Sequence, residues 1–202
     1  ELGIIYMSSC FDTKAVDFFI NQLGGDCIKT GSGEITNYPL LKHISSTGLP
    51  IILSTGMCDL DDVEGAVNYI KSNGKSTICL LHCVSSYPAT ANEINIRSIS
   101  TLKEKFELIV GYSDHTLDNT AAIAAIALGA KVIEKHFTID NELPGPDHAM
   151  SLNPSGLANY ISQIRTSESL MGDGIKRPTL KEIEMQKYSR RGIVSAENIE
   201  KG

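Results

Sequence analysis

The sequence has 202 residues, of which 42% are apolar and 21% charged, and its net charge is −6. This composition is that of a globular domain with a sizeable core, and the negative charge argues against nucleic acid or an anionic membrane as a partner, because it repels phosphates. The longest apolar stretch, residues 121–130, is shorter than the roughly 20 residues that cross a bilayer.

Short β-rich runs alternate along the chain with longer segments of helical period. Strands are predicted at residues 3–7, 26–30, 50–54, 77–82, 108–112 and 131–137, most of them nearly continuous in apolar or β-branched residues, as in buried parallel strands. Helices are predicted to follow at residues 14–23, 38–46, 59–71, 96–106, 118–128 and 154–171. A last helix, at residues 180–190, begins with a capping-box pattern of Thr179 and Glu182.

Six consecutive βα units leave two architectures open, a doubly wound sheet and a closed barrel. The glycine fingerprint of nucleotide-binding sheets is incomplete, since Thr36 stands where its third glycine belongs. Polar residues instead follow successive strands, among them Ser54, His82 and His136, which is how a barrel builds a site. We therefore predict the last six units of a TIM (β/α)₈ barrel over residues 1–191.

The cysteines point to a reducing compartment. They form no CxxC pair, and three of them lie inside strand-like apolar runs, where a thiol behaves as a small core residue. We interpret all five as core residues and expect a cytoplasmic protein: Cys10, Cys27, Cys58, Cys79 and Cys83.

His115 and His136 are the strongest candidates for chemistry. They follow adjacent strands, so in a barrel both imidazoles reach the same rim, and strand alternation places Glu134 on the same side as His136. Two neutral imidazoles can hold a divalent cation. Spacing alone leaves open that they are unrelated rim histidines, and that Glu134 either orients a ligand or pairs with Lys135.

A second cluster begins at Lys29, which precedes small residues and the hydroxyl of Ser32. This pattern is typical of an anion site, but equally of a flexible loop with a solvated lysine. Hydroxyls recur after strands at Ser54 and Ser113, although such residues are commonest as helix N-caps. Asp147, in a loop stiffened by two prolines, is either a site residue or a solvated turn residue.

Several ordered motifs resemble the sialic-acid synthase family, which includes N-acetylneuraminate, legionaminic and pseudaminic acid synthases. The resemblance covers essentially the whole chain and rests on Lys-Thr-Gly-Ser-Gly-Glu-Ile-Thr-Asn-Tyr-Pro-Leu-Leu, Ile-Leu-Ser-Thr-Gly-Met, Leu-His-Cys-Val-Ser-Ser-Tyr-Pro, Gly-Tyr-Ser-Asp-His-Thr, Val-Ile-Glu-Lys-His-Phe-Thr and Pro-Gly-Pro-Asp-His. It implies a barrel that binds phosphoenolpyruvate, an open-chain N-acetyl amino sugar and a divalent metal, Mn²⁺ or Mg²⁺.

The resemblance also implies roles for individual residues. His115 and His136 match the family's metal ligands, and Glu34 and Asp147 match acidic residues near the sugar that would accept a proton. Seven residues are expected to bind substrate: Lys29, Ser32, Ser54, Tyr87, Ser113, Ser9 and Ser85. Ser85 stands where some members carry asparagine, which weakens its assignment.

The reaction implied by the resemblance is condensation of phosphoenolpyruvate with N-acetylmannosamine or a related sugar, giving a nine-carbon 2-keto acid and phosphate. Another two-histidine barrel lyase or hydrolase, or a non-catalytic binding fragment, remains open. Family members carry about two further βα units upstream and an antifreeze-like C-terminal domain that functions in a homodimer. Residues 192–202 resemble the lead into that domain. With exposed strand edges, the chain is expected to be poorly active or to associate.

Overall fold

The computed structural model describes residues 3–202 and contains two compact units, one ending at Leu170 and the other covering Met171–Gly202. The first unit alternates strands with helices. The strands are β1 (Ser8–Ser9), β2 (Ile28–Thr30), β3 (Ile51–Ser54), β4 (Ile78–Cys83), β5 (Ile109–Asp114) and β6 (Val132–Lys135). The helices are α1 (Thr13–Leu23), α2 (Tyr38–Ser46), α3 (Leu60–Asn73), α4 (Ser98–Phe106), α5 (Thr120–Ala127) and α6 (Pro154–Met171).

The six strands form one parallel sheet in the order β1-β2-β3-β4-β5-β6, so that each strand pairs with its neighbours in sequence. A doubly wound sheet would reverse its strand order at a switch point, and this sheet does not. The prediction of six units of a (β/α)₈ barrel is therefore confirmed.

A contact between the second and sixth strands shows that the sheet curls. In a flat sheet, four strand spacings of about 4.8 Å would separate β2 from β6 by about 19 Å. The Nζ atom of Lys29 on β2 nevertheless lies 3.6 Å from Oε2 of Glu134 on β6. The concave face of the sheet therefore brings these strands together, as the interior of a barrel does.

The first predicted strand, residues 3–7, is wrong in position. The structure places β1 at Ser8–Ser9, and residues 3–7 are exposed and outside any strand. The reason is the register: Ser8 pairs with Ile28, where β2 begins, so residues before Ser8 have no partner strand on that side. The bounds of α2 and α6 match the prediction, and the other elements differ by a few residues at their ends.

The core lies between the convex face of the sheet and the helices. Val16 of α1, Leu41 of α2 and Val67 of α3 pack into one cluster with Leu53 and Leu80 from the sheet, all essentially inaccessible to solvent. Burying an aliphatic side chain of this size contributes about 1.5–3 kcal/mol, so these contacts hold the helices on the sheet.

Alternation along β5 and β6 sorts their polar side chains onto two faces. Ser113 pairs in register with Glu134, and these side chains lie on the concave face. Asp114 pairs with Lys135, and these point to the helices. The concave face carries the candidate site, while the outer face carries a separate polar network.

The second unit, Met171–Gly202, contains helix α7 (Leu180–Ser189). Its predicted capping box is present: Glu182 N donates to Thr179 Oγ1 (3.3 Å), and Thr179 N donates to Glu182 Oε2 (2.7 Å). The assignment of residues 192–202 as a lead into a further domain stays a prediction. Within residues 3–202, none of the helices combines the length and apolar character needed to span a membrane.

Candidate functional site

Lys29 lies at the centre of the concave cluster and is only 6% exposed. Its ammonium donates to Ser54 Oγ (2.7 Å) and to the Thr30 carbonyl (2.9 Å), and it lies 3.6 Å from Glu134. A buried cation is tolerated when hydrogen bonds and an opposite charge replace its water. Lys29 is therefore a positioned cation rather than a solvated loop lysine.

Small polar groups crowd together around Gly56, beside this lysine. Gly56 N donates to Ser32 Oγ (2.9 Å), which also contacts Cys83 Sγ (3.2 Å). A methyl group on Gly56 would lie 2.5 Å from Ser85 Oγ and 2.9 Å from Ser32 Oγ, closer than atoms can pack. Glycine at this position thus lets Ser32, Ser85 and Cys83 converge.

Cys83 was missed as a site residue, because its apolar surroundings in the sequence indicated a core cysteine. It is buried, as expected, but it lies on the concave face with its thiol against Ser32. The available signal was its position directly after His82 at a strand end, where the other strands carry polar residues.

Glu134 connects this cluster to the next strand. Its Oε1 accepts a hydrogen bond from Ser113 Oγ (2.6 Å), while its Oε2 faces Lys29. The alternative that Glu134 pairs with Lys135 is wrong, because Lys135 points to the opposite face and pairs with Asp114 (3.2 Å). Strand alternation separates these two neighbours.

The two histidines lie in edge contact beyond Ser113. The ring centroids of His115 and His136 are 5.4 Å apart with an interplanar angle of 74°. The ring of Tyr87 lies 4.2 Å from that of His115 and 5.7 Å from that of His136. Asp147 Oδ2 lies 3.8 Å from His136 Nδ1. The prediction that both imidazoles reach one rim therefore agrees with their geometry.

The hydrogen bonds of His115 favour one tautomer with a free lone pair. Its Nδ1 lies 2.7 Å from the Val84 carbonyl, which can only accept, so Nδ1 carries the proton. Nε2 lies 3.3 Å from Ser113 Oγ, but the single Ser113 proton is directed to Glu134. Burial, aided by the nearby His136, lowers the pKa of His115 against the opposing effect of the Val84 carbonyl, so the neutral ring is favoured.

This donor set fits a divalent cation. A neutral imidazole whose Nε2 lone pair has no proton donor, beside a second imidazole, is a suitable pair of nitrogen ligands. Within residues 3–202, no cluster of three His, Cys, Asp or Glu side chains could enclose a metal ion. The fit therefore rests on the pair of imidazoles and not on a larger cluster of ligands.

The remaining predicted residues lie at the margin of the cluster. Glu34 is half-buried in a 3₁₀ turn (Ser32–Glu34), where its carboxylate accepts a hydrogen bond from Asn37 Nδ2 (2.6 Å). Ser9 is exposed on the edge strand, in register with Lys29. His82 faces the helices and bonds to the Ile94 carbonyl (2.7 Å), as expected of a structural histidine.

Fold and site together define a barrel protein whose concave strand ends combine a buried cation with an open pair of imidazoles. The NeuB family model matches residues 1–176. The chain belongs to the NeuB family.

Named relatives are similar over the whole chain. It is 46% identical over 204 residues to the N,N'-diacetyllegionaminic acid synthase of Campylobacter jejuni and 45% identical over 206 residues to that of Legionella pneumophila. All of this chain is covered in both comparisons, but only 61% and 58% of those proteins. The chain thus spans about three fifths of the length of these curated relatives.

A solved structure agrees with this assignment. The N-acetylneuraminic acid synthetase from Leptospira borgpetersenii is 35% identical and superimposes with a TM-score of 0.83. The superposition covers 94% of this chain and 67% of that one. The sequence resemblance to sialic-acid synthases is therefore confirmed at the level of both family and fold.

Proposed function

We propose that this chain is the condensing barrel of a sialic-acid-type synthase. Such an enzyme joins phosphoenolpyruvate to an open-chain N-acetylated amino sugar, N-acetylmannosamine or a relative, and releases phosphate and a nine-carbon 2-keto acid. The observation that carries the proposal is the buried Lys29 ammonium, held by Ser54 and Glu134 in the same cluster as the two histidines. The relatives, which are legionaminic and N-acetylneuraminic acid synthases, support the reaction class.

Phosphoenolpyruvate would bind at Lys29. The protein as a whole is acidic, so a multiply charged anion needs a local cation and hydrogen-bond donors. Lys29 supplies the charge at a buried position, where an ion pair is stronger than in water because little solvent screens it. Ser54 Oγ contacts Lys29 directly, and in this proposal the hydroxyls of Ser32 and Ser113 complete the anion site.

A divalent cation, Mn²⁺ or Mg²⁺, would be held by His115 and His136. When bound, it supplies Lewis acidity that polarises the aldehyde of the sugar. Tyr87 packs against both rings and would limit their rotation. The exposed side of this cluster leaves room for the sugar.

The proposed reaction balances without any redox partner. C3 of phosphoenolpyruvate forms a bond to the aldehyde carbon, whose oxygen takes up a proton. Water adds at C2, and the C2–O bond to phosphate breaks, so that phosphate leaves with the electron pair and C2 becomes a ketone. The two protons of the water end on the new hydroxyl and on the released phosphate.

Asp147 and Glu34 are the proposed proton acceptors for that water. Asp147 is the better placed, because its carboxylate lies 3.8 Å from His136, whereas Glu34 is engaged by Asn37. A carboxylate beside the reacting water can accept its proton as a general base.

Titration calorimetry and a phosphate assay test this function. We expect phosphoenolpyruvate to bind the chain more tightly with Mn²⁺ than with EDTA, and phosphate to appear together with a 2-keto acid when N-acetylmannosamine is added. Metal-dependent binding without phosphate release would identify the chain as a binding portion that needs the rest of a longer protein. Failure to bind phosphoenolpyruvate with Mn²⁺ present would contradict the proposal.

A further inference from the structure

A buried polar network lies on the outer face of the strands that carry the two histidines. At its centre is Asp114, which is fully buried. Its Oδ1 accepts hydrogen bonds from Thr116 N (2.8 Å) and Thr116 Oγ1 (2.7 Å), and its Oδ2 accepts one from Tyr160 Oη (2.7 Å). Lys135 Nζ lies 3.2 Å from the same Oδ2. We call Asp114, Thr116, Lys135 and Tyr160 the outer-face network.

The outer-face network connects three elements of the first unit. Lys135 also donates to the Thr116 carbonyl, and its ammonium lies 5.5 Å from the centre of the Tyr160 ring. It thereby links β6 to the residues that follow β5, while Tyr160 links both to α6. Each charged group is hydrogen-bonded to a partner, as burial requires.

The position of the network relative to the histidines indicates its role. Asp114 immediately precedes His115, Lys135 immediately precedes His136, and the two network residues are register partners. A slip of β6 by one residue would turn His136 to the helix side. The Asp114–Lys135 pair exists only in the observed register, so it favours the arrangement in which both imidazoles share the concave face.

Stability alone is a weak reason for such a network. A buried ion pair can often be replaced by apolar residues with no loss of stability, because removing two charges from water offsets their attraction. What an ion pair adds is a specific geometry. Here the pair joins the two residues that immediately precede His115 and His136.

We propose that Asp114, Lys135 and Tyr160 are positioning residues that hold His115 and His136 at the separation needed to share one divalent cation. The inference rests on the proposed function, since that function places the cation there. None of the three residues touches the cation or substrate; they act through the strand ends.

Substitution of the network tests this inference through metal affinity. Lys135→Met keeps the length of the side chain and removes the ion pair, and Tyr160→Phe removes one hydrogen bond. We expect the dissociation constant for Mn²⁺, measured by electron paramagnetic resonance, to rise about tenfold in Lys135→Met, the lower end of the effect of residues behind metal ligands. Tyr160→Phe should change it less, in the same direction.

A matched variant separates positioning from general loss of stability. Val67→Ala leaves a cavity in the core on α3, away from the histidines, and lowers the melting temperature without touching the network. Its affinity for Mn²⁺ should equal that of the unmodified chain. If Lys135→Met and Tyr160→Phe lower only the melting temperature, as Val67→Ala does, the three residues are structural and the proposal is wrong.

A measurement on metal-free protein separates this proposal from the proposed function. Long-range ¹H–¹⁵N spectra report which ring nitrogen of His115 carries the proton, and the Val84 contact predicts Nδ1. Lys135→Met should lower the population of this tautomer, while Val67→Ala should not. Absence of Mn²⁺ binding by the unmodified chain would reject the metal site, and an unchanged His115 tautomer in Lys135→Met would reject the positioning role.

Discussion

The two halves of the candidate site differ in how completely their polar side chains are hydrogen-bonded or ion-paired within the chain. The Lys29 half, formed by β2, β3 and their loops, buries its cation and surrounds it with bonded hydroxyl and carboxylate partners. The histidine half, formed after β5 and β6, keeps Tyr87 54% exposed and leaves His115 Nε2 without a proton donor. The first half pairs its charged group with partners from the chain itself, whereas the second presents a ring nitrogen lone pair and an exposed aromatic side chain.

Glu134 belongs to both halves, because one carboxylate oxygen faces Lys29 and the other accepts from Ser113. Each half can therefore be changed separately, and Glu134 can be used to change both together. Larger effects on binding are expected from changing one half, and a smaller effect from changing Glu134.

The largest effect is expected from Lys29→Met. Removing a buried, hydrogen-bonded charge from an anion site typically costs 2–5 kcal/mol or more, so the affinity for phosphoenolpyruvate should fall at least about 30-fold by calorimetry. Lys105→Met is the matched control, because Lys105 pairs with Glu64 on the helix layer. Equal affinities in the two variants would show that Lys29 is not the anion site.

His115→Ala and His136→Ala should each weaken Mn²⁺ binding by about tenfold or more. Loss of a metal ligand should lower the affinity for the metal at least as much as loss of a residue that orients that ligand. Binding of phosphoenolpyruvate measured without metal should change little, since the Lys29 half is intact. His43→Ala serves as the control, because His43 pairs with Asp17 on α2 and α1. A parallel loss in His43→Ala would point to unfolding instead.

Glu134→Gln should shift the two halves in opposite directions. The amide keeps the shape but not the charge, so phosphoenolpyruvate should bind about threefold more tightly beside Lys29, and Mn²⁺ about threefold more weakly. The effects are small because the side chain is 37% exposed. Changes of the same sign for both ligands would contradict the division of the site into two halves.

The last expected effect concerns stability instead of binding and arises on the outer face of the sheet. Burial lowers the pKa of His82, so the folded protein favours the neutral ring, although the Ile94 carbonyl partly opposes this. The stabilisation is present above the unfolded pKa of about 6.5 and is lost as the pH falls below it, by at most about 1.4 kcal/mol per pH unit for this residue.

Urea unfolding at pH 7, 6 and 5 measures this dependence. His82→Leu should reduce the fall in the free energy of unfolding between pH 7 and pH 5, leaving the contribution of His115, whose pKa is also lowered. An identical pH dependence in the variant and the unmodified chain would show that the pKa of His82 is the same in the folded and the unfolded protein.

The sequence was sufficient to predict the barrel and the rim that the histidines share, because both follow from local rules. Strand alternation places His136 and Glu134 on one face, and hydrophobic period locates α2 and α6. The position of β1 was not predictable in this way, since it depends on where its partner strand begins.

The partners within the site were less accessible to sequence reasoning. The pairing of Glu134 with Lys29 joins residues 105 positions apart and depends on how far the sheet curls. Whether Cys83 is a core residue or a site residue depends on which face of β4 carries its thiol, and the contact with Ser32 places it on the concave face. Sequence pattern predicts which residues face the same way, but tertiary curvature decides which of them meet.

The contact between Lys29 and Glu134 crosses the interior of the curled sheet instead of running along it. It can form only while β2 and β6 stay near each other, so any flattening of the sheet separates the cation from its carboxylate. An anion that binds only the curled form would stabilise it by mass action. The affinity for such an anion and the resistance of the sheet to flattening therefore both depend on the equilibrium between the curled and the flattened forms.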